Sequence, residues 1–196
     1  MKRTATIERE TRETDIRLTL DLDGRGESRV DTGIPFMDHM LHLMSAHGFL
    51  DLDLTARGDT EIDDHHTVED LGICLGTALN QALKDKAGIR RYGDAVIPMD
   101  EALARVVLDI CNRPFLKYRM DLPATRAGVF DVGLLLEFFR AVTVHSGMTL
   151  HIDLLEGRDA HHCAEAIFKA FGRALDQATR VDDRLKGAPL TTKGIL

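Results

Sequence analysis

An α+β fold built by duplicating one unit, a sheet carrying two helices on one face, is predicted by three observations. The hydrophobic pattern alternates between a two-residue period and helical spacing along the chain. The order of these alternations repeats after Gly88. The cluster "DDHHTVED" (63–70) recurs as "RDAHHCAEA" (158–166), each time as two histidines with a glutamate three positions after the second.

In chain order, "TDIRLTLDLDG" (14–24) alternates polar and apolar residues as a strand with one buried face, and Gly24 and Gly26 then turn the chain. "PFMDHMLHLMSAHG" (35–48) has helical spacing and stops at Gly48. Residues 49–58 alternate again. Residues 63–88 read as a long helix, with acids at its start and lysines at its end, both suited to the helix dipole. Residues 92–123 then read as strands, 130–147 as a helix, 148–157 as a strand and 159–180 as a second long helix. The repeats span about 1–88 and 89–180, pack as one domain and leave a tail at 181–196. A period of half the chain is too long for a solenoid.

The halves align at several points. His65 and His161 lie 96 positions apart, whereas His47 and His145 in the shorter helices lie 98 apart. At the second offset His39 matches Glu137. Near the start of each half, Glu13 and "LDLDGR" (20–25) match Glu101 and "LDICNR" (108–113).

Composition narrows the function. The chain has 196 residues, 44% of them hydrophobic, ample for a core, and a formal net charge of −7. That balance, with no tryptophan, argues against nucleic-acid binding while allowing a local basic pocket for an anionic metabolite. Cys74, Cys111 and Cys163 are widely spaced among apolar residues and read as reduced core thiols of a cytoplasmic protein. The first residues show no secretory pattern, and no apolar run is long enough to cross a membrane.

The double histidines suggest metal. On a helix, His65 and Glu69 share a face, as do His161 and Glu165. His66 and His162 point about 100° away, so neighbouring histidines serve different ions more readily than one. Each half could give its His and Glu to one ion and its other histidine to the ion centred on the opposite half. His39, on the preceding helix, joins as a candidate ligand, and Glu137 offers a carboxylate at the equivalent place. His42, His47, His145 and His151 read as structural or surface residues. Nitrogen and carboxylate donors without thiolate suit Mn, Fe, Co, Ni or Zn. The zinc-protease HExxH pattern is absent.

"DTGIPFMDHMLHLMSAHG", "GDTEIDDHHTVEDLGICLGTAL", "GIRRYGDAVIPMDEAL", "SGMTLHIDLLEGRDAHHCAEAIFKAFGRAL" and the tail "TTKGIL" together resemble the imidazoleglycerol-phosphate dehydratase family of histidine biosynthesis, in its monofunctional form. The resemblance runs from about Thr4 to Leu196. It implies helices sandwiched between two sheets, and dehydration of D-erythro-imidazole glycerol phosphate to imidazole acetol phosphate. It also implies two manganese ions per active site, with sites built between subunits of a 24-subunit homo-oligomer. The ligands it implies are His39, His65, His66, Glu69, Glu137, His161, His162 and Glu165. Glu137 departs from the histidine of many relatives and would make its site more oxygen-rich.

The chemistry agrees with those residues. The carbon-bound proton to be removed has no carbonyl beside it and is weakly acidic. A metal on a ring nitrogen can stabilise imidazolate, and the hydroxyl beside the ring can then leave. A positioned carboxylate must take the proton. Glu13 matches the family's catalytic glutamate, with Glu101 and Asp100 as second candidates for acid–base or orienting roles. Arg91, Arg113, Lys169, Thr191 and Lys193 match its phosphate-binding residues, guanidinium forks suiting phosphate oxygens. Two other classes fit the same metal motif, a dinuclear hydrolase of phosphate esters and a protein whose metals only join subunits or are stored.

Overall fold

Alternation along the strands is what builds the two sheets. In a computed structural model that describes residues 2–121 and 125–194, β1 (Thr4–Glu10), β2 (Thr14–Asp21), β3 (Ser28–Asp31) and β4 (Asp51–Gly58) form one sheet in the order β1-β2-β4-β3. Ile16, Leu18 and Leu20 of β2 face inward beside Ala56, Leu54 and Leu52 of β4. The second sheet takes β5 (Tyr92–Met99), β6 (Ala102–Ile110), β7 (Phe115–Arg119) and β10 (Met148–Glu156) in the order β5-β6-β10-β7. Its inner face pairs Val106, Leu108 and Ile110 with Ile152, Leu150 and Met148. Both sheets are antiparallel except for one parallel pair, β3 with β4 and β7 with β10. The two halves thus share one topology.

Four helices lie between the sheets. They are α1 (Pro35–Gly48), α2 (His65–Leu83), α3 (Leu134–Ser146) and α4 (Ala160–Thr179). Helix α2 packs on the first sheet and on α3, and α4 packs on the second sheet and on α1, so each long helix leans on the short helix of the other half. Glycine permits both contacts. A Cβ at Gly172 would lie 2.5 Å from the Met44 carbonyl oxygen, and one at Gly76 would lie 2.6 Å from that of Val142. Gly76 and Gly172 are 96 positions apart and Met44 and Val142 are 98 apart. The offsets read from the sequence therefore hold in three-dimensional packing.

The ends of two helices differ from the sequence expectation. Helix α2 stops at Leu83, not near Gly88, because Lys84 and Lys86 adopt left-handed backbones (φ 52° and 59°). The buried Lys86 ammonium bonds the Asn112 side-chain oxygen and reaches the Ser146 carbonyl at the end of α3. Helix α3 begins at Leu134, since Phe130–Asp131 (β9) instead pairs with Arg126–Ala127 (β8) as a small hairpin. The strands β1, β3, β8 and β9 have no separate counterpart in the sequence reading. The last residues of the predicted strand region 92–123 and of the tail 181–196 lie outside the described residues.

No helix among the described residues is long and apolar enough to cross a membrane. All three cysteines are free and buried. Burial pushes the Cys74 thiol from 9.0 up to about 11. The folded state therefore favours the protonated thiol, an advantage complete below pH 9 and lost as pH rises from 9 to 11. Denaturant titrations at pH 8 and pH 10.5 should show a larger loss of stability for the parent chain than for Cys74→Ala. Equal losses would mean that another group governs the alkaline limb.

Candidate functional site

Aspartates ahead of both long helices bond the backbone at the double histidines, Asp159 as the N-cap of α4, whereas the N-cap of α2, Asp64, makes no side-chain cap bond. Asp63 accepts from the His65 backbone N–H at 2.8 Å, and Asp159 from those of His161 and His162 at 2.8 and 3.2 Å. One turn later the carboxylate of Glu165 meets His161 at 3.0 Å. The packing of α1 on α4 brings His39 to the same oxygen, Oε1, at 2.9 Å. Ligand atoms of His39, His161 and Glu165 all lie within 4.8 Å of one another. Glu165 is only 7% exposed. Its burial pushes the carboxyl up, but hydrogen bonds from Lys169 and His39, the Lys169 charge and His161 outweigh this and bring it down to about 2. Two imidazoles and an ionised carboxylate converging on one point suit a divalent transition metal, whose bonds to such donors run about 2.0–2.2 Å.

The equivalent set in the first half is more open. His65 and Glu69 approach to 3.5 Å and both are near half exposed. Glu137 on α3 occupies the place matching His39, and its carboxylate accepts from Arg140 at 2.5 Å. Among the described residues it does not close a three-donor cluster with His65 and Glu69.

His66 and His162 point away from their neighbours, with near-perpendicular rings 6.1 Å from His65 and 6.4 Å from His161. Each is held through Nδ1 by a carboxylate. His162 meets Glu101 at 2.8 Å and lies 3.9 Å from Asp100. His66 meets Asp59 at 3.0 Å, with Glu13 at 4.0 Å. An Nδ1 engaged by a carboxylate leaves Nε2 oriented as a metal donor. The two acids that match in the repeat therefore differ. Glu101 also accepts from the backbone N–H groups of Arg158 and Asp159, and with His162 these hold its carboxyl down at about 2. Glu13 leaves its histidine to Asp59, and its own carboxylate makes no hydrogen bond among the described residues. It sits on a turn fixed by Thr11, whose hydroxyl accepts from the N–H groups of Glu13 and Thr14. Beneath it, buried Asp70 ties Thr14 to Arg9. Nothing in the spacing of the sequence marks Asp59, Asp70 or Arg9.

The cationic candidates fall in two places. Arg91, Arg113, Thr191 and Lys193 line one open cleft of about 590 Å³, with Tyr92 and Leu190. Lys169 stands elsewhere, bonding Glu165 at 2.6 Å and the Met99 sulfur at 3.2 Å. The backbone of Arg91 is pinned to Ala178 near the end of α4. At 1.5 Å per residue, the 13 positions from Glu165 to Ala178 separate these two backbone positions along α4 by about 20 Å. Among the other histidines, His42 bonds Ser28, and the His151 ring lies 5.7 Å from that of Phe115, tilted by 41°.

Removal of Glu165 should open the better-formed cluster alone. Glu165→Ala is expected to keep the fold and lose one bound ion per chain, counted by metal analysis after equilibrium dialysis against Mn²⁺. Unchanged stoichiometry would place the ion elsewhere.

The profile of the family described as imidazoleglycerol-phosphate dehydratase matches residues 32–175. The Pelobacter propionicus protein of that name is 59% identical over 196 residues, covering all of both chains. That of Halalkalibacterium halodurans is 56% identical over 194 residues, 99% of this chain and all of its own. A crystal structure of the Staphylococcus aureus imidazoleglycerol-phosphate dehydratase superposes with a TM-score of 0.83 at 42% identity, over 91% of this chain and 99% of that one. The Pyrococcus furiosus structure, in complex with (S)-C348, gives 0.83 at 36% identity, over 97% and 100%.

Proposed function

The chain belongs to the imidazoleglycerol-phosphate dehydratase family, and from that premise we propose that it dehydrates D-erythro-imidazole glycerol phosphate to imidazole acetol phosphate in the histidine pathway of the cytoplasm. The observation that carries the reading is the meeting of His39, His161 and buried Glu165 across the two halves.

The residues of the cluster fit a divalent ion, which we take to be manganese, two per active site. His39, His161 and Glu165 would hold one, and His65, Glu69 and Glu137 the other, with His66 and His162 completing sites from outside. A bound ion supplies Lewis acidity to the substrate's imidazole, making negative charge on the ring less costly. The rest falls to the chain's own groups. Loss of the hydroxyl on the ring-bound carbon, as water, and of the hydrogen on the next carbon leaves an enol, which becomes the ketone when the enol oxygen gives up its proton and the ring-bound carbon gains one. Glu13, whose carboxylate makes no hydrogen bond among the described residues, takes the proton from that next carbon. Asp59 holds His66 so that the histidine does not capture Glu13. Glu101, fully engaged by His162 and two N–H groups, orients and does not transfer protons, with Asp100 beside it.

The phosphate binds in the cleft of Arg91, Arg113, Thr191 and Lys193. About 20 Å of helix lies between the backbone positions from which the cluster and this cleft are built in one chain, far more than the three-carbon link between imidazole and phosphate. This supports a site in which the metal end of one copy faces the phosphate end of another. Lys169, which stays with the cluster, would then reach a phosphate brought by its neighbour. Such a site requires self-association, for which we adopt the 24-subunit shell; neither membrane nor nucleic acid is a partner.

The test is turnover by chelated protein before and after Mn²⁺ is returned. Product is expected only after Mn²⁺, and product of equal rate from fully chelated protein would sink the metal-dependent reading. Glu13→Gln should bind metal and assemble as the parent does, with kcat reduced at least about 100-fold. A parent-like rate in that variant would assign the base to another residue.

A further inference from the structure

We propose that Asp109 is the positioning residue of the cleft, holding Arg91 and Arg113 in the arrangement that receives phosphate. This inference rests on the proposed reading of the cleft as the phosphate site.

The geometry around Arg91 is over-determined. Its backbone is left-handed (φ 72°) although it is not glycine, a conformation that persists only when its surroundings impose it. Its N–H donates to the Ala178 carbonyl at 2.9 Å, and its carbonyl accepts from Ile110 at 3.1 Å, which clamps it between α4 and β6. The side chain, 7% exposed for the whole residue, then lies across β6. Nε and Nη2 form a fork on the two oxygens of Asp109 at 2.6 and 2.9 Å. Nη1 donates to the Leu190 carbonyl at 2.8 Å and so ties down the tail just before Thr191. Among the described residues three of its five guanidinium N–H donors are used, which leaves two for a ligand.

Asp109 serves a second arginine. Its Oδ2 lies 3.5 Å from Nη2 of Arg113, which is otherwise largely exposed. Arg113 follows Asn112, another left-handed residue, whose side-chain oxygen holds the buried Lys86 ammonium. The turn that carries Arg113 is thus anchored from below while Asp109 directs its side chain. One carboxylate therefore sets the spacing of two guanidiniums drawn from different turns.

Charge alone predicts the opposite effect from position. Arg91, Arg113 and Lys193 bring three positive charges and Asp109 one negative, a net +2 that matches a phosphate monoester near −2. Neutralising Asp109 would raise the cleft to +3 and strengthen simple attraction. Losing the fork would instead release both arginines from their places, and we expect that loss to dominate.

The experiment measures inorganic phosphate binding by calorimetry, and steady-state turnover, on the assembled metal-loaded protein. Asp109→Asn is expected to weaken phosphate binding and raise KM for imidazole glycerol phosphate about tenfold, with kcat within twofold of the parent. Phosphate affinity equal to or tighter than the parent's would overturn the inference. Asp109→Glu keeps the charge but shifts the carboxylate. It should show the same loss, and it decides the question if the asparagine variant does not assemble, parent-like affinity then overturning the inference. If the parent turns over substrate and both variants match it in KM and phosphate affinity, the positioning role fails and the dehydratase reading stands. If the parent shows no turnover while Asp109→Asn still binds phosphate more weakly, the positioning role holds and the dehydratase reading fails.

Discussion

The carboxylate of Glu165 is the constraint on which the rest of the site depends. Burying an ionised carboxylate is unfavourable unless cations and donors surround it. Here they come from three directions. His161 stands one turn earlier on the same helix, Lys169 one turn later, and His39 arrives from α1 in the other half of the chain. Two of the three are guaranteed by helical spacing. The third exists only because α1 lies against α4, which in turn needs the absent side chain of Gly172. The packing of two helices thereby becomes a statement about where three donor atoms converge.

Duplication supplied two such arrangements, and the structure shows how they diverged. Topology and glycine contacts still match between the halves. The acids near the outer histidines do not. Glu101 is spent on His162 and on two backbone N–H groups, and its ionised form is strongly favoured. In the first half Asp59 holds the corresponding histidine at 3.0 Å, and the Glu13 carboxylate stays 4.0 Å from it. On the proposed reading, this is the half that removes the proton. Glu137 is a second divergence, a carboxylate where the other half has His39.

Much of this was legible in the residues because helices and caps are local. The bounds of α1 coincide with the predicted 35–48, and the start of α4 lies within one residue of its predicted start. The i, i+4 relation of His161 to Glu165 followed from helix geometry alone. What escaped was non-local. Asp59 reaches His66 through a loop of irregular course, and no periodicity marks it. Asp109 reads as an ordinary outward residue of an alternating strand until Arg91 is seen to cross over to it. The end of α2 was missed because two lysines take up left-handed backbones, a role that composition assigns to glycine. The small hairpin before α3 escaped because two-residue strands carry no readable period.

The proposed association of copies follows from the two ends of helix α4. Its first turns carry metal-type donors, and its last turn anchors the cationic cleft through Arg91. A straight helix holds these ends at a fixed separation, and no loop movement within one chain can fold one onto the other without dismantling the core. The distance that would defeat a monomer becomes useful between copies. On the proposed reading each chain would offer a donor end to one neighbour and a phosphate end to another, so that activity and assembly would depend on the same contacts. Loss of donors at His39, His161 or Glu165 would then be felt in both, because an ion held at a subunit boundary would contribute to the cohesion of the assembly as well as to the chemistry.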